Sequence, residues 1–291
     1  MPELPEVETV RVGLAALLPG RRVKAVDFDW PKSFPNAPDD VKRFMVGAEV
    51  SAVKRRAKVL LIELSSKYSL VIHLKMTGQL VFKSAERRFG AGHPSDSLVG
   101  ELPDKSTRVT LDFADGSQLF FNDQRKFGWM RLLPTAEVMN IDFFKKVGPE
   151  PLAAGFGWQD LRQRLLRRQK TNIKAALLDQ SVVAGIGNIY ADEALWGAKI
   201  HPGTPVHRLT AAKFHKLYDE LIYVLKLSIE KGGSSDRNYV NAEGKKGSYI
   251  SFARVFRREG QPCPRCGRAI QKTRVAGRGT HLCPHCQRLP R

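Results

Sequence analysis

Proline at position 2 followed by glutamate at position 3, in the opening MPELPEVETV, places a nucleophile beside a group that can move protons. Pro2 is small enough for the initiator methionine to be removed, which would leave a free secondary amine at the N-terminus. An α-amine titrates at about 7.7 to 8, so an appreciable fraction is uncharged near neutrality and able to attack carbon. Attack on a sugar C1′ gives an iminium with no N–H to lose, which therefore persists as an electron sink. The same residues also read as an ordinary helix start, with proline in the first turn and Glu3, Glu6 and Glu8 complementing the helix dipole. Residue types alone leave both readings open.

Cys263, Cys266, Cys283 and Cys286 are the chain's four cysteines and form C-x2-C, sixteen residues, C-x2-C. Two disulfides or one tetrahedral thiolate zinc would satisfy that spacing. The opening has neither the basic lead nor the apolar run of a secretory signal, so a reducing, cytoplasmic setting is expected and one structural Zn2+ is the stronger reading. Between the cysteine pairs, Arg278 stands between two glycines, where a guanidinium can fork onto phosphate.

Four further stretches carry candidate chemistry. In VVAGIGNIYADEALW the small residues Ala184, Gly185 and Gly187 precede a helix, so backbone N–H groups can approach a phosphate and Asn188 can add a donor; a plain turn has the same composition. Lys58 follows the basic cluster Lys54, Arg55 and Arg56 and begins an apolar run; as a lone lysine it reads as a solvated charge. Met76 in HLKMTGQL, and Arg125 and Phe127 in NDQRKFG, lie at strand ends. They read as core residues, or as wedges for a duplex from which a nucleotide has been extruded, since extrusion leaves a hole to fill and an orphan base to satisfy.

Behind Pro5, the spacing of Val7, Val10, Leu14, Leu17 and Leu18 predicts a helix stopped by Pro19-Gly20. Strand-like runs follow at 26–30, 59–64, 70–76, 108–114, 118–122 and 129–133, with an Asp115-Gly116 turn, predicting an antiparallel sandwich. The stretch 84–107 has no period and reads as a mobile surface loop. Helical spacing takes over from Trp158 and runs through a long helix at about 210–231 closed by Gly232-Gly233. The fold class is α+β and multidomain: an N-terminal antiparallel β-sandwich with a leading helix (1–133), a linker (134–151), a helical domain (152–232), a polar loop and connection (233–260), and a four-cysteine β-hairpin finger (261–291). The 291 residues, 42% hydrophobic, suffice for two cores, and 48 bases against 29 acids give +19, which calls for a polyanionic partner, nucleic acid first. No run of 18 apolar residues offers a membrane span.

PELPEVETV closely resembles the opening of bacterial formamidopyrimidine-DNA glycosylases, whereas related endonuclease VIII-type enzymes typically open PEGPE, so Leu4 favours the purine branch. G-x-G-N-I-Y-A-x-E likewise resembles that family's helix-two-turn-helix, and the four-cysteine module its zinc finger. The resemblance spans nearly the whole chain and implies a bifunctional DNA glycosylase and AP lyase of base excision repair, acting on double-stranded DNA that contains oxidised purines such as 8-oxoguanine and formamidopyrimidines. It implies Pro2 as Schiff-base nucleophile, Glu3 as proton donor and Glu6 in support. Lys58 would contact DNA at the lesion, and Arg278 would grip the flanking phosphates and assist δ-elimination. Lys170 and Asn188 would bind DNA, Met76 and Phe127 would fill the hole, and Arg125 would read the estranged cytosine. The stretch 235–249 resembles the family's lesion-recognition loop. One departure stands out: the family's Val-Tyr-Gly-Arg-x-Gly tract is Val255-Phe256-Arg257-Arg258-Glu259-Gly260 here. A monomer is expected. An oxidised-pyrimidine glycosylase of the endonuclease VIII type and a non-catalytic zinc-containing DNA-binding protein are the alternatives.

Overall fold

Alternating apolar residues build two antiparallel sheets around the first core. The structure, a computed structural model, describes residues 2–28, 30–93, 95–234 and 249–290. In chain order come α1 (Leu4–Ala15), β1 (Val23–Phe28), α2 (Pro38–Phe44), β2 (Val50–Arg56), β3 (Val59–Leu64), β4 (Tyr68–His73), β5 (Gly78–Lys83), β6 (Arg88–Gly92), β7 (Thr107–Phe113), β8 (Gln118–Asp123) and β9 (Trp129–Pro134). One sheet has the order β1-β7-β8-β5-β6 and the other β2-β3-β4-β9. Val53, Ile62, Leu70 and Ile72 of the second meet Leu80, Phe82, Leu111 and Phe121 of the first in a single core. Each such side chain contributes about 1.5–3 kcal/mol by leaving water.

Helix α1 joins that core through Val7, Val10 and Leu14, packing on β2 and β3 of one sheet and β6 of the other. Gly13 makes the approach to β6 possible, because a Cβ there would fall inside the Phe89 ring. Its position between the sheets fixes where the N-terminus sits.

The second unit, residues 146–230 and 249–291, has its own core. A short α3 (Asp142–Lys145) closes the first unit; α4 (Trp158–Leu166), α5 (Ile173–Leu178), α6 (Asn188–Gly197), α7 (Ala211–Glu230) and α8 (Tyr249–Phe252) belong to the second. Phe214, Leu217, Leu221, Val224 and Leu225 form the buried stripe of α7. The hairpin of β10 (Gln271–Val275) and β11 (Arg278–Leu282) ends the fold.

Four expectations change. Residues 84–107 are not a structureless loop: β6 pairs with β5, and Leu98 and Leu102 cover Val81 and Phe120 on the outer face of the five-stranded sheet. Strand β2 was hidden by its basic residues Lys54, Arg55 and Arg56, although Val50 and Val53 face the core. The start of the expected linker, 134–145, is packed, with Val138 and Phe144 buried against Val59 and Val71. Strand β4 stops at His73, so Met76 lies in the turn that follows it. Most of the expected lesion-recognition loop, 235–248, lies outside the described residues.

Candidate functional site

Pro2 and Glu3 are buried at the head of α1. The Glu3 backbone N–H donates to Glu6 Oε2 at 2.8 Å, satisfying a donor that a helix start leaves open. Glu6 Oε1 accepts from the Ser234 N–H at 2.9 Å, so one carboxylate ties the N-terminal residues to the segment after Gly232 and Gly233. Both glycines have positive φ, the conformation that glycine adopts without strain.

Lys58, also buried, does not begin β3 but occupies the two-residue turn before it, after Ala57 at φ +55°. The Arg55 guanidinium donates to Ala57 O at 2.8 Å and pins this turn. Val59, the next residue, pairs with His73 of β4, whose Nδ1 accepts the Lys75 N–H at 3.0 Å. Burial, then the charges of Lys75 and Lys58, lower His73 from 6.5 to about 3, so its ring is neutral at physiological pH. His93 follows β6; burial lowers its pKa first and the charge of the chain's N-terminus adds to this, while Asp123 opposes it.

Met76, Arg125 and Phe127 come to neighbouring strand ends, because β5 and β8 are paired with Gly78 opposite Asp123. Phe127 is more than half exposed, and the Arg125 guanidinium lies 5.0 Å from its ring centre. An exposed aromatic braced by a cation on a surface loop is available to a partner. The sequence reading missed His73 and Asp123. A histidine two residues before the Met76 turn was one visible signal, and an aspartate where β8 gives way to the arginine loop was the other.

In the second unit, Asn188 is the first residue of α6 and donates through Nδ2 to Gly279 O at 3.0 Å, leaving its second amide hydrogen for another acceptor. Gly279 adjoins Arg278. The hairpin turn Ala276-Gly277 has positive φ at both residues, the type I′ pattern, and presents Arg278 exposed on its rim. Below it, Lys174 and Asp192 form a fully buried ion pair at 2.6 Å; Lys174 also donates to Gly279 O and Thr280 Oγ1, and Asp192 accepts the His281 N–H at 2.9 Å. The structure thus brings Asn188 and Arg278 together, with Lys174 locking them. Lys170, by contrast, is exposed in the turn before α5.

The four cysteines converge, with all sulfurs within 4.8 Å of one another and Cys266 Sγ 3.5 Å from Cys283 Sγ. Four bonds of about 2.3 Å to a tetrahedral ion set sulfurs about 3.8 Å apart, whereas a disulfide needs about 2.05 Å. The donor chemistry agrees. Burial raises Cys263, yet amide N–H groups led by that of Arg265 outweigh it and hold the thiol at about 6; burial and neighbouring thiols push Cys286 up to about 12. A dication is what lets all four ionise together. The cluster fits one structural zinc. The departure before the finger also resolves: Arg257 adopts φ +57° where the family has glycine, and Phe256 packs edge-on against His281, 5.2 Å between centres.

Three family models match: the formamidopyrimidine-DNA glycosylase N-terminal domain over residues 1–130, its H2TH domain over 147–239, and the zinc finger found in FPG and IleRS over 260–289. Formamidopyrimidine-DNA glycosylase of Latilactobacillus sakei is 42% identical over 288 residues, covering 99% of this chain and 98% of the relative. That of Chloroflexus aurantiacus is 43% identical with the same coverage. A Lactococcus lactis FPG mutant in complex with Fapy-dG-containing DNA superposes with TM-score 0.87 at 36% identity, over 99% of this chain and 100% of that one. MutM in complex with carbocyclic 8-oxo-G DNA gives 0.85 at 36%, with the same coverage. An N-terminal proline-glutamate pair held by α1, a phosphate-suited helix start and a four-thiolate finger, matched along the full length by these proteins, place the chain in the formamidopyrimidine-DNA glycosylase family.

Proposed function

We propose that Pro2 carries the reaction of this DNA glycosylase and AP lyase, with an oxidised purine nucleotide as substrate. The observation that carries this reading is the burial of Pro2 and Glu3 at the head of a helix wedged between two sheets. A flexible N-terminus would lose the orientation that makes an amine effective.

With Met1 removed, the uncharged Pro2 nitrogen attacks C1′ of the extruded nucleotide, the bond from C1′ to the base breaks, and the proton that the nitrogen gives up leaves with the base. Glu3 protonates the ring oxygen as the sugar opens, leaving an iminium between Pro2 and C1′. Loss of a C2′ proton, moved by Glu3, expels the 3′ phosphate; a further elimination expels the 5′ phosphate and leaves a gap. Glu6 positions Glu3 through the 2.8 Å bond to its N–H. Lys58 supplies a cation at the lesion, and its neighbour His73, neutral by burial, adds no competing charge. Asn188, Arg278 and the exposed Lys170 hold phosphates. Zinc on four thiolates keeps no open position and serves to shape the finger. The reading takes the protein to act as a cytoplasmic monomer; among the described residues no helix is long and apolar enough to cross a membrane.

Borohydride reduction on duplexes carrying 8-oxoguanine or thymine glycol tests the proposal. The expected result is a trapped adduct with the 8-oxoguanine duplex whose peptide begins at Pro2. An adduct mapped to Lys58 would overturn the nucleophile, and a preference for thymine glycol would overturn the purine substrate.

A further inference from the structure

Asp123 is fully buried at the end of β8, and its carboxylate is shared by two loops. Oδ1 accepts from the Thr77 hydroxyl, in the Met76 turn, and from the Arg125 N–H at 3.2 Å; Oδ2 accepts from the Gly128 N–H at 2.6 Å. Thr77 Oγ1 in turn accepts the Arg125 N–H at 3.1 Å. Glycine is what lets both loops come this close. A Cβ on Gly78 would strike Leu74 O, and one on Gly128 would strike the Phe121 ring and the Asp123 carboxylate. Only a carboxylate offers acceptors on both oxygens. Asparagine would turn an NH2 group toward one of the donors and leave a buried N–H or hydroxyl without its partner.

We propose that Asp123 and Thr77 join the Met76 turn and the Arg125–Phe127 loop into one rigid wedge, making the filling of the extrusion hole conditional on the base that Arg125 meets. This rests on the reading of Met76 and Phe127 as hole-filling residues and of Arg125 as reader of the orphan base. Separate loops would let the apolar side chains enter the stack whatever lay opposite. A shared anchor makes a poor fit at Arg125 displace Met76 and Phe127 as well, so the opposite base governs extrusion and not merely affinity. Asp123 is then a positioning residue for specificity.

Excision of 8-oxoguanine opposite cytosine and opposite adenine, with hydrogen exchange of the loop amides, tests the coupling. Thr77→Val removes the bridging hydroxyl with little change of shape, and Thr77→Ser keeps it. The expected result is a cytosine-to-adenine ratio at least fivefold lower in Thr77→Val and Asp123→Asn and within twofold of wild type in Thr77→Ser. Adding Arg125→Ala to Asp123→Asn should lower the ratio no further than Arg125→Ala does alone. Exchange at the Arg125 and Gly128 amides should speed at least tenfold in Thr77→Val. An unchanged ratio in Thr77→Val and Asp123→Asn, with a collapsed one in Arg125→Ala, would overturn the coupling and leave the base-reading role standing. An unchanged ratio in Arg125→Ala would overturn that role instead. The exchange rates then judge the anchor by themselves, and unaltered exchange at Arg125 and Gly128 in Thr77→Val would overturn it.

Discussion

At the scale of single residues, burial decides the charge of the imidazoles flanking the Met76 turn and β6. His73 is the clearest case, lowered to about 3 by burial and by Lys75 and Lys58. In the unfolded chain its imidazole titrates near 6.5. Between those two values the unfolded chain binds a proton that the folded one refuses, so stability rises with pH across the window and is indifferent to His73 above it. The slope is about 1.4 kcal/mol per pH unit within the window. Urea unfolding of wild type should therefore weaken by about 2 kcal/mol between pH 7 and pH 5, on the same linkage. His73→Asn should flatten most of that loss; an equal loss in the variant would mean that other groups govern the acid limb.

At the scale of elements, what was legible depended on whether a signal was local. The helix start at Pro2 to Glu6 and the cysteine spacing are local, and both could be read directly. Strand β2 was not, because Lys54, Arg55 and Arg56 break its alternation, and β6, written RFGAG, resembles a turn until its pairing with β5 is seen. Asp123 stood in plain view in NDQRKFG, but its role did not, since that stretch does not reveal that Thr77, 46 residues earlier, shares its carboxylate. Lys174 and Asp192 were invisible for the same reason: their pairing is tertiary. Gly13 shows how one element governs the site. Gly13→Ala should press α1 against Phe89, cost about 1–3 kcal/mol by overpacking, and slow borohydride trapping at Pro2. Phe89→Leu in the same chain should restore both. Failure to restore trapping while the melting temperature recovers would separate the packing of α1 from the placement of Pro2. The finger has its own test. Cys263 and Cys283 share a small core with Trp196, Val255 and Ile270, so Cys263→Ser should release zinc and duplex affinity together. Metal loss with undiminished affinity would remove the finger from DNA binding.

At the scale of the whole molecule, a net charge of +19 makes affinity for a duplex a function of salt before it is a function of sequence. On the proposed roles, Arg278 and Arg125 should divide that affinity differently. A phosphate contact releases a counterion and carries no base information, so Arg278→Ala should weaken binding to damaged and undamaged duplexes alike and reduce the slope of log affinity against log salt by about 0.9. A guanidinium facing an orphan base offers donors only. Cytosine presents acceptors at O2 and N3, whereas adenine sets a donor at N6, a difference of about 1–3 kcal/mol by analogy with other bidentate contacts. Arg125→Ala should therefore narrow the preference for 8-oxoguanine opposite cytosine over adenine while leaving the salt slope near that of wild type. Anisotropy titrations from 50 to 200 mM salt, at about the range where such slopes are resolved, would separate the two arginines. A wild-type slope in Arg278→Ala would remove that residue from the phosphate contacts and assign the charge-driven affinity to the other basic side chains.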